Sequence, residues 1–320
     1  MSSFLNEAVA QAANANNGLH YPLDRGSTLR KSFSDLLSRH VGRLRGSARF
    51  EAEILVVTGL SGTGKTREIT KMLDEFNGDE LPLPDGKPAR VVHCLLDRKG
   101  GWKDLGRKTL KAMGYSLSER ARLTQSEIWE RVAFQARAQG IIGVYYDEAQ
   151  HIFAGKSDND RETILDSFKT LLKSHDWPLM LIMSGVPELA PHVRSLDQVY
   201  SKVTYLHFEK IDLPNNYEVV HEIVGSYALK NGLAVEDEIV SHEFYHRLAT
   251  AAAFRWGLLI NMVIETTARA VEAGCETLSW QHFTDNWVAK TQMNQIATPF
   301  THEGYETMFR PDKPFQTAIG

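Results

Sequence analysis

A short apolar run that ends in a glycine-rich turn and a lysine constrains this chain more than any other feature of it. Glu53-Ile54-Leu55-Val56-Val57-Thr58 is rich in β-branched residues, the pattern of a strand buried on both faces. Gly59-Leu60-Ser61-Gly62-Thr63-Gly64-Lys65-Thr66 follows without a gap and fills every fixed position of G-x-x-x-x-G-K-[ST]. Each residue type has a reason. Glycines let the backbone wrap closely, so that successive amides point at phosphate oxygens. A helix opening near Gly64 turns its positive end toward the same anion. Lys65 reaches the β and γ phosphates, and the Thr66 hydroxyl is placed for Mg²⁺. Gly59, Ser61, Gly62, Thr63, Gly64, Lys65, Thr66 and Arg67 form the expected nucleotide-binding set, with ATP and Mg²⁺ as cofactors.

Further strands are expected at Arg90–Leu96, Gly140–Tyr146, Pro178–Met183 and Val203–Phe208. The third strand runs into Asp147-Glu148, the acidic partner that a P-loop needs. Asp147 is expected to hold the metal and Glu148 to activate the attacking water. Ser184, at the tip of the fourth strand, reads as the polar residue that positions this water, though a serine there also suits a turn. After Asp212-Leu213-Pro214 the strand signals stop, and residues 215–296 read as helical. Alternating strands and helices imply a parallel five-stranded sheet covered by helices. With a C-terminal helical lid behind it, this α/β P-loop layout is that of an AAA+ NTPase. In that layout Arg255, early in the third lid helix, touches the γ phosphate. Boundaries are expected at 1–24 for a mobile arm, 25–210 for the ATPase domain with its basic N-terminal helix, 211–297 for the lid, and 298–320 for an extended tail.

Composition narrows the setting. Of 320 residues, 42% are hydrophobic, enough for a sizeable core, and no run approaches the ~18 apolar residues of a membrane span. Two cysteines and no signal-peptide pattern suggest a soluble, cytoplasmic protein without a disulfide framework. The net charge of −4 hides an uneven distribution. From Arg25 to Phe50 there are seven basic residues against Asp35 alone, on an expected amphipathic helix. From Arg98 to Thr124 there are eight against two, which leaves −10 for the rest of the chain. A basic loop on an acidic body can bind phosphates locally. Lys99, Lys103 and Arg122 are its candidate DNA contacts; with no base-reading motif, they would meet the backbone. His242-Glu243-Phe244-Tyr245-His246 fits the zinc-protease pattern H-E-x-x-H, but falls where the lid needs a packing helix. Aromatic residues in the proline-interrupted tail, among them Phe300, Tyr305 and Phe309, suit anchors for a partner.

With the P-loop, the string Asp147-Glu148-Ala149-Gln150-His151 and the lid together, the chain resembles the TniB/TnsC family of transposition regulators. The phage Mu B protein and IstB are more distant relatives. The resemblance covers roughly residues 25–290. It implies a homo-oligomeric ring or helical filament on duplex DNA, recruitment of a DDE transposase, and response to a TniQ-type target selector, with no membrane involved. In such oligomers a neighbour completes the ATP site with a basic finger. Arg194 and Lys202 are the candidates here, Lys202 standing where the family tends to carry arginine. A helicase-loader-like AAA+ protein and a nucleotide-switched signalling NTPase share the same motifs.

Overall fold

The continuous apolar runs of the sequence become the interior of one parallel sheet. A computed structural model describes residues 20–317 apart from 47–48, 97–99, 119–121, 158–159, 162–163, 165–167, 170, 175–176, 196–201 and 311. The expected mobile arm therefore lies outside the described residues, save for its last few. The strands are β1 (Ile54–Thr58), β2 (Arg90–Leu95), β3 (Ile141–Asp147), β4 (Met180–Gly185) and β5 (Val203–His207). They pair in the order β2-β3-β4-β1-β5, all parallel. Every residue of β1, β3 and β4 is buried, as expected of central strands covered on both faces. All five expected strands are present, with ends shifted by a residue or two.

Helices that follow the strands set the geometry of the site. α1 (Asp24–Arg45) precedes β1, and α2 (Lys65–Gly78) starts inside the P-loop. α3 (Trp102–Ala112) and α4 (Gln125–Gln139) connect β2 to β3. α5 (Gln150–Phe153) follows β3, and α6 (Leu189–Arg194) follows β4. α1 buries Leu29, Phe33, Leu36 and Val41, so the amphipathic reading of the basic N-terminal stretch holds. Part of its charge is used locally: Arg39 and Arg43 both pair with Glu53, and Arg30 with Glu75.

His40, on the buried side of α1, faces the Phe50 ring edge-on at 5.2 Å. Among the described residues neither of its ring nitrogens has a hydrogen-bond partner. Burial, aided by the Arg43 charge and opposed by Glu53, lowers its pKa from 6.5 to about 4. Between those values the unfolded chain binds the proton and the folded one does not, so stability is complete above pH 6.5 and declines as the pH falls toward 4. The loss attributable to this group is about 3 kcal/mol. Urea unfolding at pH 7.5 and 4.5 should show this slope in the native protein and a shallower one in His40→Leu. Equal slopes would contradict the assignment.

By its internal contacts the chain divides into two units. One comprises Leu23–Ser61 and Lys65–Phe208; the other comprises Glu209–Gly320 with Gly62–Gly64 and the chain up to Pro22. The second unit holds α7 (Tyr217–Lys230), α8 (His242–Ala251), α9 (Trp256–Glu272) and α10 (Trp280–Thr291). It also holds something the sequence did not suggest: two-residue strands β6 (Ala234–Val235) and β7 (Thr277–Leu278), paired in parallel. No single helix among the described residues is long and apolar enough to cross a membrane.

The tail corrects an expectation. Its prolines do prevent a long helix, but Phe300, Tyr305 and Phe309 are all buried. Phe300 lies against Phe244 and Phe283, and its carbonyl accepts from Trp280 Nε1 at 2.8 Å. Phe309 and Phe315 flank Trp287 at 5.6 and 5.4 Å. Arg247 donates to the carbonyls of Pro299 and His302 and covers the Tyr305 ring at 4.1 Å. A short helix, α11 (Tyr305–Met308), and a bridge between Phe309 and Thr317 complete the packing. The aromatics are thus lid core, and the described tail is neither extended nor loose. The H-E-x-x-H histidines take part in the same packing: His242 stacks on Tyr217 at 4.2 Å, and His246 meets the Tyr305 hydroxyl at 2.9 Å.

Candidate nucleotide site

β1 delivers the chain into the P-loop at the C-terminal edge of the sheet, between β4 and β5. Gly62 and Gly64 sit at φ +82° and +96°, a region other residues rarely enter, which explains the glycines at those positions. Lys65 is buried, and its ammonium donates to the carbonyls of Gly59 at 2.8 Å and Leu60 at 3.0 Å. These are weak holds for a cation, and a phosphate would compete well for it. Thr66, one residue on, donates its hydroxyl to Asp147 Oδ2 at 2.9 Å. Register brings the two together: β1 and β3 flank β4, so the P-loop helix opens opposite the end of β3.

Asp147 is buried, and its other oxygen, Oδ1, accepts from the Ser184 hydroxyl and from the Glu148 amide at 3.0 Å. The Tyr145 hydroxyl lies 2.9 Å from Ser184 Oγ. Burial first, and the Asp147 charge second, push the Tyr145 phenol well above its usual range, so it stays protonated. A threonine hydroxyl and a carboxylate oxygen facing each other are hard donors, and that pair fits Mg²⁺ rather than a softer metal.

The structure therefore gathers Lys65, Thr66, Asp147, Glu148 and Ser184 at one edge of the sheet. Three neighbours were not singled out from the sequence. Tyr145 shares a face with Asp147 by the two-residue alternation of β3. His93, its register partner on β2, stacks on Tyr145 at 4.6 Å with Nε2 3.9 Å from Asp147 Oδ2. Gln150 donates from Nε2 to Glu148 Oε2. The alternation would have pointed to Tyr145; the other two depend on strand order and on the turn after β3.

Arg67 is exposed on α2. Arg194 ends α6, exposed, with its guanidinium 4.9 Å from the Tyr205 ring centre; Lys202 is half-buried just before β5. Much of the stretch between them, 196–201, lies outside the described residues. Arg255 caps α9 in the other unit, where it is buried and donates from Nη2 to the Asp312 carbonyl at 3.0 Å. In that unit, too, the Leu258 amide donates to Gly62 O at 3.1 Å. Lys103 is exposed in the first turn of α3, and Arg122 is exposed just before α4. The two helices are pinned by the stacked Trp102 and Trp129, 4.2 Å apart. Lys99 lies outside the described residues.

The sequence profile of the AAA domain matches residues 48–192. No curated protein matches the chain. Among solved structures, the Orc1 protein of Aeropyrum pernix in complex with DNA is similar at a TM-score of 0.58 and 15% identity, over 83% of this chain and 65% of that one. Drosophila ORC bound to DNA gives 0.56 and 12%, over 93% and 69%. The A. pernix ORC2 protein, in ADPNP–ADP complexes, gives 0.55 and 14%, over 79% and 66%. The chain thus spans only about two thirds of the length of the archaeal proteins it resembles. At these identities the likeness is one of fold. The chain therefore has the AAA+ P-loop fold, with its parallel five-stranded sheet and a profile match confined to residues 48–192.

Proposed function

We propose that this protein is an ATPase that assembles on duplex DNA in its ATP-bound state and brings a DDE transposase to the insertion site. The observation that carries the nucleotide part is the meeting of Lys65, Thr66, Asp147 and Glu148 at one edge of the sheet. Mg²⁺–ATP, when bound, would supply the anhydride bond and the charge that polarises it, and Thr66 and Asp147 would hold the metal. Lys65 would exchange the loop carbonyls for the β and γ phosphates. The loop amides after Gly59, whose own amide donates to Gly185 O at 3.2 Å, would cradle the phosphate chain up to Arg67. Glu148 would take a proton from the attacking water, and Ser184, whose hydroxyl donates to Asp147 Oδ1, would keep that carboxylate in place. Arg255 senses the γ phosphate from the lid, and Arg194 or Lys202 serves a neighbouring copy as the basic finger. Lysine lacks the planar fork of arginine, which makes Arg194 the better candidate of the two.

The DNA part is supported by the charge of residues 98–124, by the exposure of Lys103 and Arg122, and by the like-fold Orc1 protein solved with DNA. The TniB/TnsC resemblance supplies the transposase and the TniQ-type selector as partners. A helicase loader would use the same nucleotide residues, and capture of a transposase rather than a helicase separates the two readings. Electron microscopy with duplex DNA should show multi-subunit assemblies in ATP and not in ADP. Lys103→Ala/Arg122→Ala should bind all duplexes more weakly and lower the log–log salt slope by about 1 to 2. Isolated subunits in every nucleotide state, or an unchanged salt slope, would count against this function.

A further inference from the structure

We propose that Gln150 positions the Glu148 carboxylate for the attacking water and couples it to the end of β4. This rests on the reading of Glu148 as the base. Glu148 sits at φ +56°, a left-handed conformation that a non-glycine residue keeps only where its surroundings fix it. Two hydrogen bonds from backbone amides fix the main chain: the Glu148 amide donates to Asp147 Oδ1 at 3.0 Å, and the Ala149 amide donates to Ser184 O at 2.8 Å. Neither restrains the carboxylate. That restraint comes from Gln150, whose Nε2 donates to Glu148 Oε2.

The orientation of the Gln150 amide follows from its neighbours. A carboxylate only accepts, so the NH₂ group must face Glu148. The carbonyl end then points to β4, where Oε1 lies 3.4 Å from the amide nitrogen of Val186, which donates to it. Gly185 makes the room: a Cβ there would lie 2.4 Å from Gln150 Oε1. One side chain therefore bridges the exit of β4 and the base. On the same strand, Ser184 holds Asp147 directly, while Val186, just past it, reaches Glu148 only through Gln150. With Oε2 engaged by Gln150, Oε1 of Glu148 has no hydrogen-bond partner among the described residues and would take the water. Gln150 acts through Glu148.

The test uses the full chain with duplex DNA and ATP. Gln150→Met keeps the length of the side chain and removes the donor. Its kcat should fall about 10- to 100-fold, while KM and the calorimetric affinity for ATP stay within twofold. Gly185→Ala leaves Gln150 intact but pushes its amide away from the far side, and should lower kcat in the same way. Because both act on one contact, the double variant should be no slower than the slower single one. A native kcat in Gln150→Met, a parallel loss of ATP affinity, or additive losses in the double variant would overturn the positioning role. Should Gly185→Ala not fold, the kcat and KM values of Gln150→Met decide alone. Glu148→Gln is assayed beside them. If it keeps turnover, the base assignment has failed and this proposal with it; if it is inactive while Gln150→Met is native, the positioning role alone is wrong.

Discussion

Glu148→Gln is expected to bind ATP and Mg²⁺ as the native chain does and to hydrolyse ATP roughly 100- to 10,000-fold more slowly, the range a positioned general base contributes. The substitution removes the basic oxygen pair but keeps the volume of the side chain. Asp147, Thr66 and Lys65, the residues proposed to hold metal and phosphates, are untouched. Assemblies on duplex DNA should persist longer as a result, because the ATP that sustains them is consumed more slowly. Phosphate release measures the first effect, and dissociation from labelled duplex measures the second. Turnover near the native rate would move the base away from Glu148.

Lys65→Ala should have the larger effect on binding. Its ammonium is buried and held by the carbonyls of Gly59 and Leu60, so it is poised at the mouth of the loop rather than dispersed in solvent. Losing a charged donor to phosphate at a buried site costs about 3 kcal/mol, or ~100-fold in affinity. Calorimetry with ATP should show that loss, and assembly on DNA should vanish with it. Native affinity in this variant would mean that the phosphates bind elsewhere.

The sheet and the P-loop were legible in the sequence because their signals are local. A buried parallel strand is a continuous apolar run, and a phosphate loop is a fixed glycine spacing. What the sequence did not show depends on contacts between distant segments. His93 stacks on Tyr145 only because β2 and β3 are neighbours in a particular register. Gln150 reaches Glu148 because the chain turns sharply after β3, and Val186 because β4 ends beside that turn. The tail misled for a related reason. Phe300, Tyr305 and Phe309 have no helical or strand period, yet each finds its own pocket among α8, α10 and the rest of the lid. Aperiodic aromatics report that something will cover them, not what. β6 and β7, of two residues each, are too short for any periodic pattern.

Mg²⁺–ATP binding where Thr66 faces Asp147 is open to one direct titration. ATP is titrated calorimetrically into the full-length chain, first with Mg²⁺ and then with EDTA. One site per chain, at least about tenfold tighter with Mg²⁺, is the expected result. Equal affinity in the two buffers would contradict the metal position, and no binding in either would contradict the site itself.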